Sequence, residues 1–278
     1  MADTAPVSLK LSLGSDAITL GEPVILGYEI VNGSHVKVVV DLGVERTAWL
    51  MVEVRDEAGT LVPTVPDYRP KACGGLRPLS TVELPPGASY RGDRVVSETF
   101  AFPKASTYRV VARAHVPYLL NAGAEGGTFS DERTLVLTVA KEDPARLEGT
   151  LRSLQAAAIG KQKSVEQRET AVIALFSMPE SKAIKTWQAL AADSSLPLGE
   201  RLVIVGQLLR IGSPKAVDLL AEMWGDPKQL ADVRSQAKIA LLNLWWSGGD
   251  VVRKDIEKVF AAREGTMPKV TGPIVPVD

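Results

Sequence analysis

The sequence predicts a multidomain chain, all-β and then all-α. An antiparallel β-sandwich over residues 5–140 precedes a short α-solenoid of about seven helices over 143–264, with an extended tail at 265–278. Three observations carry this. Apolar and polar residues alternate with period two from Val7 to Ala140. Beyond that, Arg168, Arg201 and Arg234 recur at a 33-residue interval, each opening an apolar helical segment. At 278 residues the chain is also long for one ordinary core.

In the front half, Val7 to Leu13 alternates as a half-buried strand should, and Gly14-Ser15-Asp16 turns the chain. Ile18-Thr19-Leu20 follows, then the breaker Gly21-Glu22-Pro23 and a strand from Val24 to Val31 that ends at the turn signal Asn32-Gly33. Further strands are expected at Val36–Asp41, Ala48–Arg55, Ser80–Leu84, Ser89–Phe102, Tyr108–Val116 and Arg133–Val139. Turns at Glu57-Ala58-Gly59 and Pro85-Pro86-Gly87 separate them. Many short strands with regular punctuation argue for a sandwich.

Two connections exceed what a sandwich requires. Residues 63–78 hold four prolines and Gly74-Gly75 around Tyr68, Arg69 and Cys73. Residues 117–129 read PYLLNAGAEGGTF, with Tyr118, Leu119 and Leu120 beside glycines. Long loops either bind something or simply lie across the ends of the sandwich.

Asp143-Pro144 reads as an N-cap with proline at the first helical position. Helices are expected near 144–159, 164–178, 180–193, 198–211, 214–225, 229–246 and 250–264. Counting from each arginine, position +3 holds Ala171, Ile204 and Ala237, and +7 holds Leu175, Leu208 and Leu241. Position +8 holds Phe176, Leu209 and Leu242, so one helical face is presented three times. The preceding helices keep register through Leu151, Ile184 and Val217; Asp250 breaks it at the next step, as a terminal cap would.

The third unit, SPKAVDLLAEMW followed by DVRSQAKIALLNL, resembles HEAT-type repeats of bacterial proteins through Asp232, Arg234, Ala237, Ala240 and Leu241. The second unit departs from that pattern at Gly199 and Gln207. The resemblance spans 144–264 and implies a scaffold for binding partners. Chromophore lyases include relatives of this repeat type, but no residue here carries that activity over. In the front half, GEPVILGYEIVNGS, VEVRDEAGTLV, LPPGASY and STYRVVARAHV resemble bacterial immunoglobulin-like sandwiches. Small intracellular proteinase inhibitors include that type, so inhibition is what the resemblance implies.

Composition narrows the function classes. With 45% hydrophobic and 23% charged residues the chain is neither disordered nor membrane-embedded. A net charge of -1, +2 over Lys141–Glu264 and -3 over the remainder, argues against nucleic-acid binding. No run approaches the roughly 20 apolar residues of a membrane helix. Cys73 alone excludes an internal disulfide, and with His35 and His115 it makes no zinc spacing. No catalytic fingerprint, metal site or cofactor motif is present. Two origins fit the first residues equally, a cytosolic protein or a mature exported domain that has lost its signal; export is favoured because sandwiches of the kind resembled are more familiar outside the bacterial cytoplasm.

The remaining candidates are interaction residues. Arg168, Arg201 and Arg234 could line an anion-binding edge, but three equivalent positions favour struts that bond backbone or a neighbouring repeat. Arg91-Gly92-Asp93 spells an adhesion tripeptide inside an expected strand and is discounted. Trp245 and Trp246 are adjacent on a helix, so either one packs on the last helix while the other reaches the surface or the sandwich, or the cap and tail cover both. The expected function is a non-catalytic scaffold with a protein partner. The alternative is an inhibitor or regulatory subunit acting through 63–78 or 117–129, at Tyr68, Arg69, Tyr118 and Leu119.

Overall fold

A computed structural model describes residues 6–43, 49–65, 81–120 and 125–268. The chain divides into two compact units that part between Glu148 and Gly149. Tyr68, Arg69 and Cys73, most of 63–78, and the tail beyond residue 268 lie outside the described residues.

In the first unit, β1 (Val7–Leu13), β3 (Ile25–Asn32) and β7 (Ser89–Val95) form a three-stranded antiparallel sheet in the order β1-β3-β7. The second sheet runs β2 (Ala17–Thr19), β9 (Glu125–Ala140), β8 (Ser106–Leu120), β4 (Val38–Asp41) and β6 (Thr81–Leu84). Strand β5 (Leu50–Arg55) pairs with β8 beside it. Leu26, Tyr28 and Ile30 from one sheet and Val38, Val110, Ala112, Val116 and Leu137 from the other bury into one core. This is the inward half of the period-two pattern. Tyr108 donates its hydroxyl to the Lys104 carbonyl at 2.8 Å, tying the start of β8 to the residues before it.

Several expectations change. The sheets are antiparallel except where β2 pairs parallel with β9, because the chain crosses between sheets at Gly14–Asp16 and Asp16 O takes the Thr138 N–H at 2.8 Å. Asn32-Gly33 does not close a hairpin, since β3 and β4 lie in different sheets. The buried Asn32 amide organises that connection: Nδ2 donates to the carbonyls of Val36, Leu84 and Pro85, and Oδ1 accepts from the Ser34 N–H. The strand expected over Ser89–Phe102 stops at Val95, where a single 3-10 turn, Val96–Glu98, takes over.

The 117–129 connection is the main correction. Its described residues, 117–120 and 125–129, belong to β8 and β9 and pair with each other, with Tyr118 opposite Gly127 and Leu119 opposite Gly126. The glycines that suggested a loop leave room for cross-strand neighbours. A Cβ at Gly126 would lie 2.7 Å from Leu119 Cδ2, and one at Gly127 would lie 2.8 Å from Tyr118 Oη.

The last residues of the first unit open a helix. Asp143 Oδ1 caps it, accepting from the N–H groups of Ala145 and Arg146 at 3.0 and 3.2 Å. Thr19 Oγ1 donates to Lys141 O and accepts from Asp143 N–H, while Arg146 pairs with the buried Glu22 at 2.8 Å. Together these contacts fasten the first turn to β2.

The helices are α1 (Pro144–Ile159), α2 (Val165–Phe176), α3 (Glu180–Ala192), α4 (Leu198–Ile211), α5 (Pro214–Gly225), α6 (Ala231–Ser247) and α7 (Asp250–Glu264). Ser164 and Gln167 close a capping box on α2, and Ser213 caps α5 ahead of Pro214. Gly212 ends α4 at φ 59°, a conformation that favours glycine. Helix α2 packs on α4 and α4 on α6, while α3 packs on α5 and α5 on α7. Leu175, Leu208 and Leu241 are fully buried at equivalent places.

Candidate functional site

Of the arginines at the 33-residue interval, Arg168 and Arg201 turn their guanidinium groups inward, whereas Arg234 stays exposed. Arg168 donates Nε–H to Glu200 at 2.5 Å and Nη1–H to Lys163 O at 2.6 Å, and Glu200 is only 1% exposed. Arg201, itself buried, donates to Leu196 O at 2.6 Å, to Gln229 Oε1 at 3.1 Å and to Ser194 O. Arg234 donates to Trp224 O at 3.2 Å. Each satisfies carbonyls before its own helix, and the first two reach across to the next unit. The geometry is that of struts.

Of the paired tryptophans, Trp245 is half-buried and donates Nε1–H to Glu257 of α7 at 3.0 Å. Trp246 is 41% exposed, and Val251, just past the α6–α7 connection, is 67% exposed. Arg253 holds this turn by donating to the carbonyls of Trp245 and Trp246 at 3.0 and 3.3 Å. A fixed turn therefore presents an aromatic and an aliphatic side chain to solvent.

Tyr118 and Leu119, adjacent in the strand, face opposite sides of the sheet. Tyr118 packs at the margin of the core, and Leu119 is 47% exposed. The structure thus does not bring them into one site.

No protein-family model matches the chain. No curated protein is similar in sequence. Among solved structures, the PapD-like domain 7 of human CEP192 aligns with 50% of this chain and 87% of its own, at 13% identity and a TM-score of 0.27. The sporulation control protein Spo0M of Bacillus subtilis covers 54% of this chain and 56% of its own, at 15% identity and TM-score 0.27. Escherichia coli alpha-2-macroglobulin covers 95% of this chain but 19% of its own, at 13% identity and TM-score 0.29. Scores this low do not establish a shared fold.

Other chemistry is sparse among the described residues. His115 on β8 bonds Ser130 at 2.9 Å, while His35 sits in the β3–β4 connection. No group of three His, Cys, Asp or Glu is placed to hold a metal, and no helix is long and apolar enough to cross a membrane. Two open hollows lie among the described residues, about 300 Å³ at Asp56–Ala58 with Lys104 and Ser106, and about 330 Å³ at Leu13–Asp16 with Leu135 and Val136. Arg91-Gly92-Asp93 lies within β7; Arg91 is held by Glu29, and burial raises the Asp93 carboxyl.

One cluster escaped the sequence reading. Lys238 and Arg263 lie 5.3 and 5.4 Å from the centre of the Trp224 ring, which packs on Phe260 at 4.9 Å. It joins α5, α6 and α7 by cation–π contact. Neither cation carries a signal in one dimension.

Proposed function

We propose that this is a non-catalytic protein-interaction protein, in which a HEAT-like solenoid presents the α6–α7 turn to a protein partner. The alternating packing, α2 on α4 on α6 and α3 on α5 on α7, supports the solenoid reading, with the arginine struts repeating across it. The tyrosine tie from Tyr108 to Lys104 supports the immunoglobulin-like reading of the front half, where such a corner recurs. The observation that carries the function is that Trp246 and Val251 are both exposed at the α6–α7 turn, which Arg253 and Glu257 hold in place. A rigid aromatic anchor is the side chain that dominates protein interfaces.

Affinity capture with the full chain from its native source tests this. Partners retained by wild type should be lost with Trp246→Ala combined with Val251→Ser, and kept when residues 68–75 are deleted. The opposite pattern would assign binding to the 63–78 segment and reject this reading.

A further inference from the structure

Strand β9 is paired along one edge only for most of its length. Strand β8 covers one side from Glu125 to Val139, whereas β2 reaches the other only from Thr138 onward. In an antiparallel ladder, successive residues turn their N–H and C=O groups to alternate edges. Thr138 donates away from β8, to Asp16 O, and Ala140 O accepts from Leu20. The β8–β9 register runs without a bulge, so the even-numbered residues from Thr128 to Val136 also point away from β8. Among the described residues no strand takes up this row; the Glu132 N–H is held instead by Asp131 Oδ1 at 2.9 Å, a contact that an incoming strand would replace. Such an edge is a template for another strand.

The side chains specify which strand fits. Around Glu132 the sequence is Phe129-Ser130-Asp131-Glu132-Arg133-Thr134-Leu135. Reversed about Glu132, Asp131 falls opposite Arg133 and Phe129 opposite Leu135. In that register the even-numbered residues of both strands face one another, as hydrogen bonding across the edge requires. We propose that the free edge of β9 pairs antiparallel with the same edge of a second copy of this chain, about a two-fold axis at Glu132. Asp131 and Arg133 already bond within each strand at 2.9 Å, and pairing exchanges that contact for two between copies. The opposing cost is Glu132 meeting its own counterpart. Arg113, directly across β8 at 2.6 Å, offsets that charge. A self-complementary contact of this kind closes at two copies.

Sedimentation velocity on the full chain should show a reversible, concentration-dependent monomer–dimer equilibrium. Asp131→Arg or Arg133→Asp alone sets like charges across the axis twice, and each should weaken self-association roughly ten-fold or more. Mixing D131R with R133D matches opposite charges at both positions, so the dimer should return as a heterodimer. Circular dichroism verifies that each variant is folded. A wild-type monomer at every concentration overturns the proposal and leaves the edge to a strand of different sequence. So does a dimer indifferent to both substitutions.

Discussion

Arg91 stands directly opposite Glu29 in the β3–β7 register and gives one of its carboxylate oxygens two hydrogen bonds, at 3.1 and 2.9 Å. On the other side Lys10 of β1 reaches the second oxygen at 3.2 Å, so a plus–minus–plus row spans three strands. The second sheet carries the inverse row. There Arg113 of β8 lies between Glu53 of β5 at 2.8 Å and Glu132 of β9 at 2.6 Å. Both rows occupy polar positions of the alternating pattern, where cross-strand pairing sets register as much as stability.

The first row makes stability depend on pH. Hydrogen bonds from Ser89, Arg91 and Lys10 lower the Glu29 carboxyl from 4.5 to about 2. A folded value below the unfolded one means that the ionised form favours folding. The contribution is full above the unfolded value and is lost as pH falls towards the folded one. Glu29→Gln should therefore lower the urea midpoint near neutral pH, and its gap from wild type should close as pH falls towards about 2. A gap of constant size across that window would show that Glu29 acts by shape alone.

Glycine at position 92 is required by a neighbour. Its Cβ-less face lies against Tyr28, whose hydroxyl and ring carbon Cζ would collide with any added methyl. Tyr28 is buried and packs edge-on against Trp49 at 4.9 Å, so it cannot withdraw without disturbing the core. Gly92→Ala should cost about 1–3 kcal/mol in chemical denaturation. Gly33→Ala, where nothing lies within 4 Å, is the control and should stay within about 0.5 kcal/mol of wild type.

Arg201 tests the strut reading. Its fork reaches three acceptors, Leu196 O, Ser194 O and Gln229 Oε1, in a buried setting. Lysine keeps the charge but cannot present that planar fork. Arg201→Lys should cost roughly 2–3 kcal/mol, close to the effect of Arg201→Ala. An anion-binding role predicts instead that lysine preserves stability, a result that thermal unfolding in phosphate-free buffer distinguishes.

These contacts mark how far the sequence could be read. Helix limits were legible because their signals are local: Ser164 with Gln167, Ser213 before Pro214, and Gly212 in the left-handed region. The separation of Trp245 from Trp246 followed from helical geometry alone. The strand pairing of 117–120 with 125–128 was not legible, because the reason for Gly126 and Gly127 sits on the opposite strand at Leu119 and Tyr118. The parallel β2–β9 pair was likewise hidden, since it depends on a crossing between sheets. Long-range partners decide those elements, and alternation along one strand does not name them.

Asn32 combines both kinds of information. From the sequence it is half of a turn signal; in the fold it is fully buried and its amide bridges β3 to the ends of β4 and β6. Nδ2 faces three carbonyl oxygens, at 2.8, 2.8 and 3.1 Å, so the site demands a donor. Asn32→Asp keeps size and the Oδ1 bond to Ser34 but points a carboxylate at those oxygens. An uncompensated buried charge costs about 3–5 kcal/mol, more than the unpaired carbonyls left by Asn32→Ala. Burial beside acceptors raises the folded pKa of the new acid above its unfolded value. The protonated form then folds better, so the deficit should shrink in acid and grow as pH rises. Guanidinium denaturation of both variants across that range checks the order and the slope. If Asn32→Asp matches wild type near neutral pH, the amide does not hold the two sheets in the way the geometry requires.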